Sequence, residues 1–199
     1  MTDKKILIDI PMPITTPRLV LRPFSTGDGK ILYEAKNETI DDLLEWMDWA
    51  KKGETEEDNE IVCRQAHAKF ILREDLMFLG FHRETGEMVI STGLHRFDFE
   101  IGKFEIGYWV RKKFQGQGYA TESSNALTRY AFDQFSAKRM LISHADGNDK
   151  SSRVPLKLNF EKETVRKLDH KLPDGRIVDT HDYVCFNTND LPPLEVTWT

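Results

Sequence analysis

Cysteine is scarce in this sequence of 199 residues: Cys63 and Cys185 are the only two, and they lie far apart. The absence of a Cys-x-x-Cys pair argues against a zinc-binding cysteine motif and a disulfide framework, and it indicates a reducing compartment. We therefore expect a cytoplasmic protein that needs no metal.

Long apolar runs are absent as well. No segment approaches the ~20 apolar residues of a membrane-spanning helix, and no apolar stretch follows the charges near the N-terminus, so we expect neither a membrane segment nor a signal peptide. Positive charge is not in excess, because 28 Lys and Arg face 33 Asp and Glu for a formal net charge of −5. This balance argues against nucleic acid as a partner and mildly favours a cationic ligand such as an amine.

The composition is that of one folded α+β domain over residues 1–199, with 39% hydrophobic and 31% charged residues. Residues 1–13 are predicted to be a leader. Hydrophobic periodicity predicts helices over 25–37, 41–51, 56–73, from residue 119 to about 135, and 148–158. It predicts strands over 18–22 (a sheet edge, since prolines bound it), 77–82, 88–95, 104–110, 139–145, 164–168 and 177–186.

The most informative segment is a glycine loop between the strand at 104–110 and the helix that follows. Gly116 and Gly118 allow the backbone to approach a ligand closely, and the helix N-terminus adds partial positive charge. We predict that this loop binds a diphosphate; a tight structural turn would also need small residues. No lysine follows Gly118 as in a Walker loop, and Thr121 replaces the third glycine of a dinucleotide loop. The predicted binding residues are Gln115, Gly116, Gln117, Gly118, Tyr119, Ala120 and Thr121.

The spacing Gln115-x-x-Gly118-x-Ala120 resembles the acyl-coenzyme-A loop of the GNAT superfamily of N-acetyltransferases. Further segments resemble its RimJ/RimL branch, and together they cover about residues 14–188. In chain order these are Thr16-Pro17-Arg18-Leu19-Val20-Leu21-Arg22, Trp46-Met47-Asp48-Trp49, Glu105-Ile106-Gly107-Tyr108-Trp109-Val110, the glycine loop, Asn148-x-x-Ser151, Leu158-Asn159-Phe160 and Asp174-Gly175-Arg176.

The resemblance implies the acyl-CoA N-acyltransferase fold, a mixed and strongly bent sheet flanked by helices. Its two central parallel strands, here 104–110 and 139–145, form a V-shaped splay that holds acetyl-CoA. Edge groups near Trp109 and Val110 are implied to bind the pantetheine amides, and one free N–H stabilises the oxyanion. The resemblance also implies a bulge in the first of these strands.

The reaction needs a general acid that protonates the departing thiolate. Many acetyltransferases use a tyrosine for this, but Pro155 stands at that position here, so the role of the tyrosine cannot be carried over. The resemblance places Ser151 near the sulfur, and we predict that Ser151 is the proton donor or thiol partner. Asn148 is predicted to bind the pantetheine or the strand edge. Helix capping is the alternative role for both Asn148 and Ser151.

The candidate for the general base that deprotonates the acceptor amine is Glu105, the carboxylate on the central strand. The alternative interpretation is that Glu105 only faces solvent. His95 and His144 also lie on predicted strands, where a structural role is favoured. A water chain to solvent would need no dedicated base.

The basic residues near the loop are candidate ligands of a cofactor phosphate. The alternative for each is a surface charge that only contacts solvent. Trp46 and Trp49 are candidates for the acceptor pocket, although their helical spacing favours core packing. The basic residues in question are Arg111, Lys112, Lys113 and Arg153.

The resemblance implies an acetyl-CoA-dependent N-acetyltransferase, and we expect direct attack in a ternary complex, since neither cysteine lies in a nucleophile motif. The acceptor is a primary amine, for which a protein N-terminal α-amine is the leading candidate. One alternative is a small amine such as an amino acid, a polyamine or an antibiotic. Another is a non-catalytic module that binds or senses acyl-CoA. The sequence leaves monomer and homodimer open.

Overall fold

The computed structural model describes residues 4–199, so the first three residues of the predicted leader lie outside it. Four α-helices flank one sheet in this part of the chain: α1 (Gly29–Trp46), α2 (Glu56–Leu72), α3 (Tyr119–Gln134) and α4 (Asp149–Lys157). The strands are β1 (Ile14–Thr15), β2 (Leu19–Pro23), β3 (Leu76–His82), β4 (Met88–Asp98), β5 (Lys103–Val110), β6 (Arg139–Ala145), β7 (Glu161–Lys171), β8 (Ile177–Cys185) and β9 (Thr197–Trp198). Their order in the sheet is β7-β8-β6-β5-β4-β3-β2-β1-β9.

The predicted α+β class is confirmed. The strand predicted over 139–145 has those bounds, and β3, β4, β5, β7 and β8 overlap their predicted segments. The helix α2 begins with a capping box, in which the Thr55 hydroxyl accepts from the Asp58 N–H and the Asp58 carboxylate accepts from the Thr55 N–H.

Two predictions about the first third of the chain are wrong. The helices predicted over 25–37 and 41–51 are the single helix α1. Thr39 lies at the predicted break, but its hydroxyl donates to the Ala35 carbonyl at 2.7 Å within the helix. The predicted edge strand, β2, lies inside the sheet, because β1 and then β9 cover its outer side.

The larger part of the core lies between the sheet and α3, and a second buried cluster contains residues of α1 and α2. The predicted apolar face of α3 is buried at Ser124, Leu127 and Ala131, with Phe135 just beyond the helix. Because α3 is fixed against β4 and β5 in this way, its N-terminus, and with it the glycine loop, is held at the end of β5.

The predicted splay is present between the two central strands. β5 and β6 pair in parallel only from Lys103 with Arg139 to Glu105 with Leu141, although both strands continue further. Beyond Glu105 the edge of β5 that faces β6 is therefore unpaired by strand hydrogen bonds.

The bulge implied for the first central strand is located elsewhere. β4 and β5 pair without interruption from Ile90 with Val110 to His95 with Glu105, and the register shifts only between His95 and Asp98 of β4. Arg96, at this shift, has a positive φ of 43°. The irregularity thus turns the end of β4, and the regular alternation of β5 is preserved.

Candidate active site

Two clefts meet where β5 and β6 separate. The large cleft has a volume of about 930 Å³ and the small cleft about 390 Å³. Six residues line both, and they mark the passage from one cleft to the other: Trp46, Met47, Tyr108, Trp109, Asn148 and Ser151.

The glycine loop forms one wall of the small cleft. Gly116 and Gly118 have φ values of 74° and 85°, a left-handed conformation that favours glycine. A side chain at Gly116 would meet no atom within 4 Å, so the backbone there faces open space. In the described part of the chain, the main-chain N–H groups from Gly116 to Thr121 donate to no protein acceptor. Open space and free donors at a helix N-terminus fit an anion such as a diphosphate.

The side chains of the loop residues take different positions. Among the predicted ligands, Gln117 does not line the small cleft, since its amide donates to the Lys113 carbonyl at 3.0 Å. Gln115 lines it and donates to the Val110 carbonyl and to Asp42, each at 3.2 Å. The other predicted residues that line this cleft are Trp109, Val110, Gly116, Gly118, Tyr119, Ala120, Thr121, Asn148, Ser151 and Arg153.

Arg18 holds the loop from the opposite side, a role that the sequence analysis missed. Its guanidinium donates to the Gln117 carbonyl at 3.0 Å and lies 4.2 Å from the centre of the Tyr119 ring. It also forms an ion pair with Glu122 of the first turn of α3, whose side chain is only 8% exposed. The β2 end and the loop are thereby fixed to each other.

The basic residues around the small cleft fall into two groups. Arg111, Lys112 and Lys113 form ion pairs with Glu38, Asp42 and Glu87 respectively. Arg153 lines the cleft and, within residues 4–199, has no ion-pair partner. Lys150 and Lys157, on the same helix, line the cleft too. Lys150 pairs with Asp42 at 3.5 Å, so within residues 4–199 the unpaired positive charge at this cleft is on Arg153 and Lys157 of α4, of which the sequence analysis named only Arg153.

Asn148 and Ser151 lie at the start of α4. The Asn148 side chain caps the helix by accepting from the Ser151 N–H at 3.0 Å, so the capping role is realised for Asn148. The Ser151 hydroxyl has a different contact, with the Tyr108 hydroxyl at 3.1 Å.

Pro155 explains a second contact of Tyr108. A helical residue at 155 would normally donate its N–H to the Ser151 carbonyl, and proline has no N–H. The Tyr108 hydroxyl donates to that free carbonyl at 3.3 Å. The proline that removes the expected tyrosine thus creates an acceptor for another tyrosine, at the passage between the clefts.

Tyr108 is the main residue of this passage that the sequence analysis did not single out. Burial raises the pKa of Tyr108 to about 12, although the hydrogen bond with Ser151 acts in the opposite direction. The phenol therefore remains a protonated donor throughout the neutral range. The signal in the sequence was Pro155, which leaves the Ser151 carbonyl without its helical donor.

The large cleft begins at the end of α1. Trp46 and Trp49 line it, and Trp49 is 45% exposed, so the favoured interpretation of these residues as core is wrong. Glu105 lines the cleft and its two carboxylate oxygens accept from the Arg96 guanidinium. Hydrogen bonding to Glu105 raises the pKa of Arg96 above its usual value.

The two strand histidines differ in their surroundings. His144 is buried and its Nδ1 contacts the Ala145 carbonyl at 3.0 Å, while its buried Nε2 has no hydrogen-bond partner among residues 4–199. Burial lowers the pKa of His144, which keeps the ring neutral. His95 is partly exposed and its Nδ1 lies 2.6 Å from Oδ1 of Asp75, a residue in the loop before β3. Both histidines line the large cleft.

Two kinds of feature are absent from residues 4–199. These residues bring together no group of three or more histidine, cysteine or acidic side chains able to hold a metal ion. None of the helices in this range is both long and apolar enough to cross a membrane.

A family model described as the acetyltransferase (GNAT) domain matches residues 18–161. The chain therefore belongs to the GNAT acetyltransferase family.

Individual relatives are more distant. YdaF of Bacillus subtilis (strain 168) is 36% identical over 104 residues, which are 51% of this chain and 54% of YdaF. N-acetyltransferase p20 of Bacillus licheniformis is 29% identical over 99 residues, 50% of this chain and 55% of p20. The chain thus spans about half the length of these relatives. The ribosomal-protein-serine acetyltransferase of Escherichia coli (strain K12) is 26% identical over 166 residues, 79% of this chain and 87% of that protein.

Solved structures confirm the fold. The ribosomal L7/L12 α-N-protein acetyltransferase RimL in complex with coenzyme A aligns with a TM-score of 0.80 at 21% identity, over 87% of this chain and 96% of RimL. The microcin C7 self-immunity acetyltransferase MccE in complex with acetyl-CoA and AMP also has a TM-score of 0.80 at 21% identity, over 86% of this chain and 93% of MccE.

Proposed function

We propose that this chain transfers the acetyl group of acetyl-CoA to a primary amine by direct attack in a ternary complex. The observation that carries the proposal is the meeting of the two clefts at Tyr108 and Ser151. A cofactor in one cleft and an acceptor in the other would bring their reacting groups together at this passage.

The small cleft would hold the cofactor. The free N–H groups from Gly116 to Thr121 would bind the diphosphate, and the unpaired edge of β5 near Trp109 and Val110 the pantetheine. Cationic side chains of α4 support further phosphate binding, because a doubly charged phosphate attracts them strongly. These are Lys150, Arg153 and Lys157.

Acetyl-CoA supplies a thioester whose sulfur leaves as the amine nitrogen bonds to the carbonyl carbon. The Tyr108 hydroxyl donates its proton to the Ser151 carbonyl, so the Ser151 hydroxyl is the donor that can turn from the Tyr108 oxygen to the sulfur as negative charge develops on it. Ser151 keeps the role predicted from the sequence, and Tyr108 becomes its partner.

Direct attack is supported by the positions of the cysteines. Neither Cys63 nor Cys185 lines either cleft. Burial raises the pKa of Cys63 to about 12 and raises the pKa of Cys185 as well, so neither thiol is an activated nucleophile.

For the acceptor we favour the N-terminal α-amine of a protein. A cleft of about 930 Å³ is at the upper end of small-molecule sites and admits several residues of a peptide. An α-amine also loses its proton far more readily than a lysine, with a usual pKa of about 7.7–8.0 against about 10.4. Two proteins similar to this chain are named for ribosomal proteins, so the N-terminal sequences of ribosomal proteins are the first acceptors to test.

The test is thiol release from acetyl-CoA by the purified chain, with peptides that carry ribosomal-protein N-termini and with a panel of amino acids, polyamines and amine antibiotics. We expect turnover with the free peptides, and mass spectrometry should place the acetyl group on the α-amine. The same peptides with a blocked N-terminus but an internal lysine are the control. Turnover with small amines alone would select the small-molecule alternative. Cofactor binding without turnover on any amine would select the sensing module.

A further inference from the structure

His95 and Asp75 form a hydrogen-bonded pair on the wall of the large cleft. Nδ1 of His95 lies 2.6 Å from Oδ1 of Asp75, and each side chain is 24% exposed. An ionised carboxylate only accepts hydrogen bonds, so Nδ1 carries a proton, and in the neutral ring Nε2 has the lone pair. Within residues 4–199 no protein group donates to Nε2, and this basic nitrogen is free to meet a ligand.

Two glycines make room for the imidazole on the surface of the sheet. Gly93 of β4 and Gly107 of β5 are cross-strand partners. A Cβ atom at Gly93 would lie 2.7 Å from Nε2 of His95, and one at Gly107 would lie 2.9 Å from Cδ2. Any larger residue at either position would displace the ring, so the glycines and the Asp75 bond together define where Nε2 lies.

This position adjoins the splay. Glu105 is the last β5 residue that pairs with β6, and Gly107 lies two positions after it. The next pair on the same face is Ser91 with Trp109, and Trp109 lines both clefts. Nε2 therefore lies on the wall of the large cleft, next to the open part of β5.

Several other candidate bases in the cleft are less suited to take a proton, and Asp169 and Asp182 already accept hydrogen bonds from Arg166. Both oxygens of Glu105 accept hydrogen bonds from Arg96. Nε2 of His144 is buried. His170, on β7, has no side-chain hydrogen-bond partner within the described residues to orient its ring.

We propose that His95 is the general base that takes a proton from the acceptor amine, with Asp75 as the positioning residue that sets its tautomer. The proposal rests on the proposed function, since it names the base of that reaction. The acceptor ammonium transfers one proton to Nε2 and becomes a neutral amine, Asp75 stays ionised, and Nε2 returns the proton to solvent. The lone pair of the neutral amine then attacks the thioester carbon, the carbon–sulfur bond breaks, and the second proton that the nitrogen loses passes to the departing sulfur, which leaves as a thiol.

The decisive variant is His95→Asn, because the asparagine amide replaces the Nδ1–H donor to Asp75 but offers no nitrogen lone pair. We expect kcat with an α-amine peptide to fall at least about 100-fold, the usual contribution of a general base, while calorimetry shows unchanged affinity for acetyl-CoA. His67→Asn is the matched control: Nδ1 of His67 also has an oxygen partner, in this case the main-chain carbonyl of Phe24 at 2.7 Å, and His67 lines neither cleft. Its kcat should equal that of the wild type.

A second acceptor separates a base from a structural residue. A peptide analogue in which a hydrazide replaces the N-terminal α-amine is already neutral at pH 7 and needs no base to give up a first proton, so His95→Asn should acetylate it nearly as fast as the wild type does. A ring that only shaped the cleft would lower both rates equally, and that result would overturn the proposal.

The role of Asp75 has a readout that does not depend on activity. Nitrogen-15 NMR of ring-labelled histidine should show the proton of His95 on Nδ1 in the wild type. In Asp75→Asn we expect it to move toward Nε2, since the asparagine amide donates to Nδ1. An unchanged tautomer, or a wild-type rate in His95→Asn together with a large loss in Glu105→Gln, would contradict the assignment. If the wild type itself acetylated no amine, the proposed function would fail first.

Discussion

The small cleft and the large cleft are built from different parts of the chain. The small cleft has one continuous wall of main-chain donors, from Gly116 to Thr121, at the start of α3. The large cleft has side chains from separate segments, including the end of α1, the loop before β3, β4 and β5. Main-chain recognition needs only a backbone shape, which a short motif specifies. Side-chain recognition needs residues that the fold brings together from distant positions.

This difference suggests how the family divides its tasks. A cleft that binds through the backbone tolerates changes of side chain as long as the glycines remain, so it suits a cofactor common to many members. A cleft lined by side chains changes with each substitution and suits an acceptor that differs between members. Variants of each cleft should therefore affect different measured constants.

Gly118→Glu should have the largest effect. Residue 118 has a φ of 85°, which costs a non-glycine residue about 1–2 kcal/mol, and a Cβ atom there would lie 3.6 Å from the Arg18 guanidinium, so the new side chain would disturb the contact that holds the loop. The variant also adds a negative charge to the loop proposed to bind the diphosphate, and unfavourable like charges cost several kcal/mol, so we expect affinity for acetyl-CoA to fall at least about 100-fold in calorimetry.

Gly86→Glu provides the control for this variant. Gly86 also has a positive φ, 70°, and open space around its Cβ position, but it lies in the turn between β3 and β4. It should show the conformational cost in thermal unfolding without any loss of affinity. Equal losses in the two variants would contradict the diphosphate assignment of the loop.

Ser151→Ala and Tyr108→Phe act at the passage between the clefts. Ser151→Ala removes the donor to the departing sulfur, so we expect it to lower kcat about 100-fold, the lower end of the range for loss of one transition-state donor. Tyr108→Phe removes the hydroxyl that positions Ser151, so we expect about a 10-fold loss, and the double variant should lose about as much as Ser151→Ala. Affinity for acetyl-CoA should stay within about twofold in all three.

Tyr130→Phe is the matched control, because the Tyr130 hydroxyl is buried and donates to the Pro11 carbonyl at 3.0 Å, away from both clefts. Its kcat should be that of the wild type. A wild-type rate in Ser151→Ala would return Ser151 to a purely structural role.

The sequence predicted the central sheet well because the strands there are short apolar runs with clear turns between them. β6 and the loop before α3 lie where the periodicity and the glycines placed them. The continuity of α1 was missed because Thr39 and Ile40 are poor helix formers in isolation, whereas tertiary packing and the Thr39 bond to Ala35 hold them in the helix.

The large cleft was less accessible to prediction. Asp75 and His95 are 20 positions apart, and no spacing rule connects a loop residue to a strand residue across a sheet. Trp46 and Trp49 have helical spacing, yet α1 ends at Trp46, so Trp49 lies outside the helix and faces the cleft. Glu105 was placed on the correct strand, but its ion pair depends on the bulge at Arg96, which the sequence does not reveal.

Arg18→Met should have the smallest effect, and it tests whether the loop is set by its own backbone alone. The variant removes the bond to the Gln117 carbonyl and leaves Glu122 without its ion pair. One such hydrogen bond is worth about 0.5–1.5 kcal/mol, so we expect affinity for acetyl-CoA to fall roughly 2- to 10-fold, together with a lower thermal unfolding temperature.

Arg22→Met is its matched control on the same strand. Arg22 also pairs with a buried carboxylate, Asp28 at 2.7 Å, and lies over an aromatic ring, that of Phe81 at 4.5 Å, but it contacts no residue of the glycine loop. Both variants should lose comparable stability, and only Arg18→Met should lose affinity. If Arg22→Met weakened acetyl-CoA binding to the same extent, the loss would reflect general destabilisation. If neither variant weakened acetyl-CoA binding, the glycines alone would hold the loop in its binding shape. The small cleft would then depend on its backbone even more, and the large cleft would be the only one that depends on side chains.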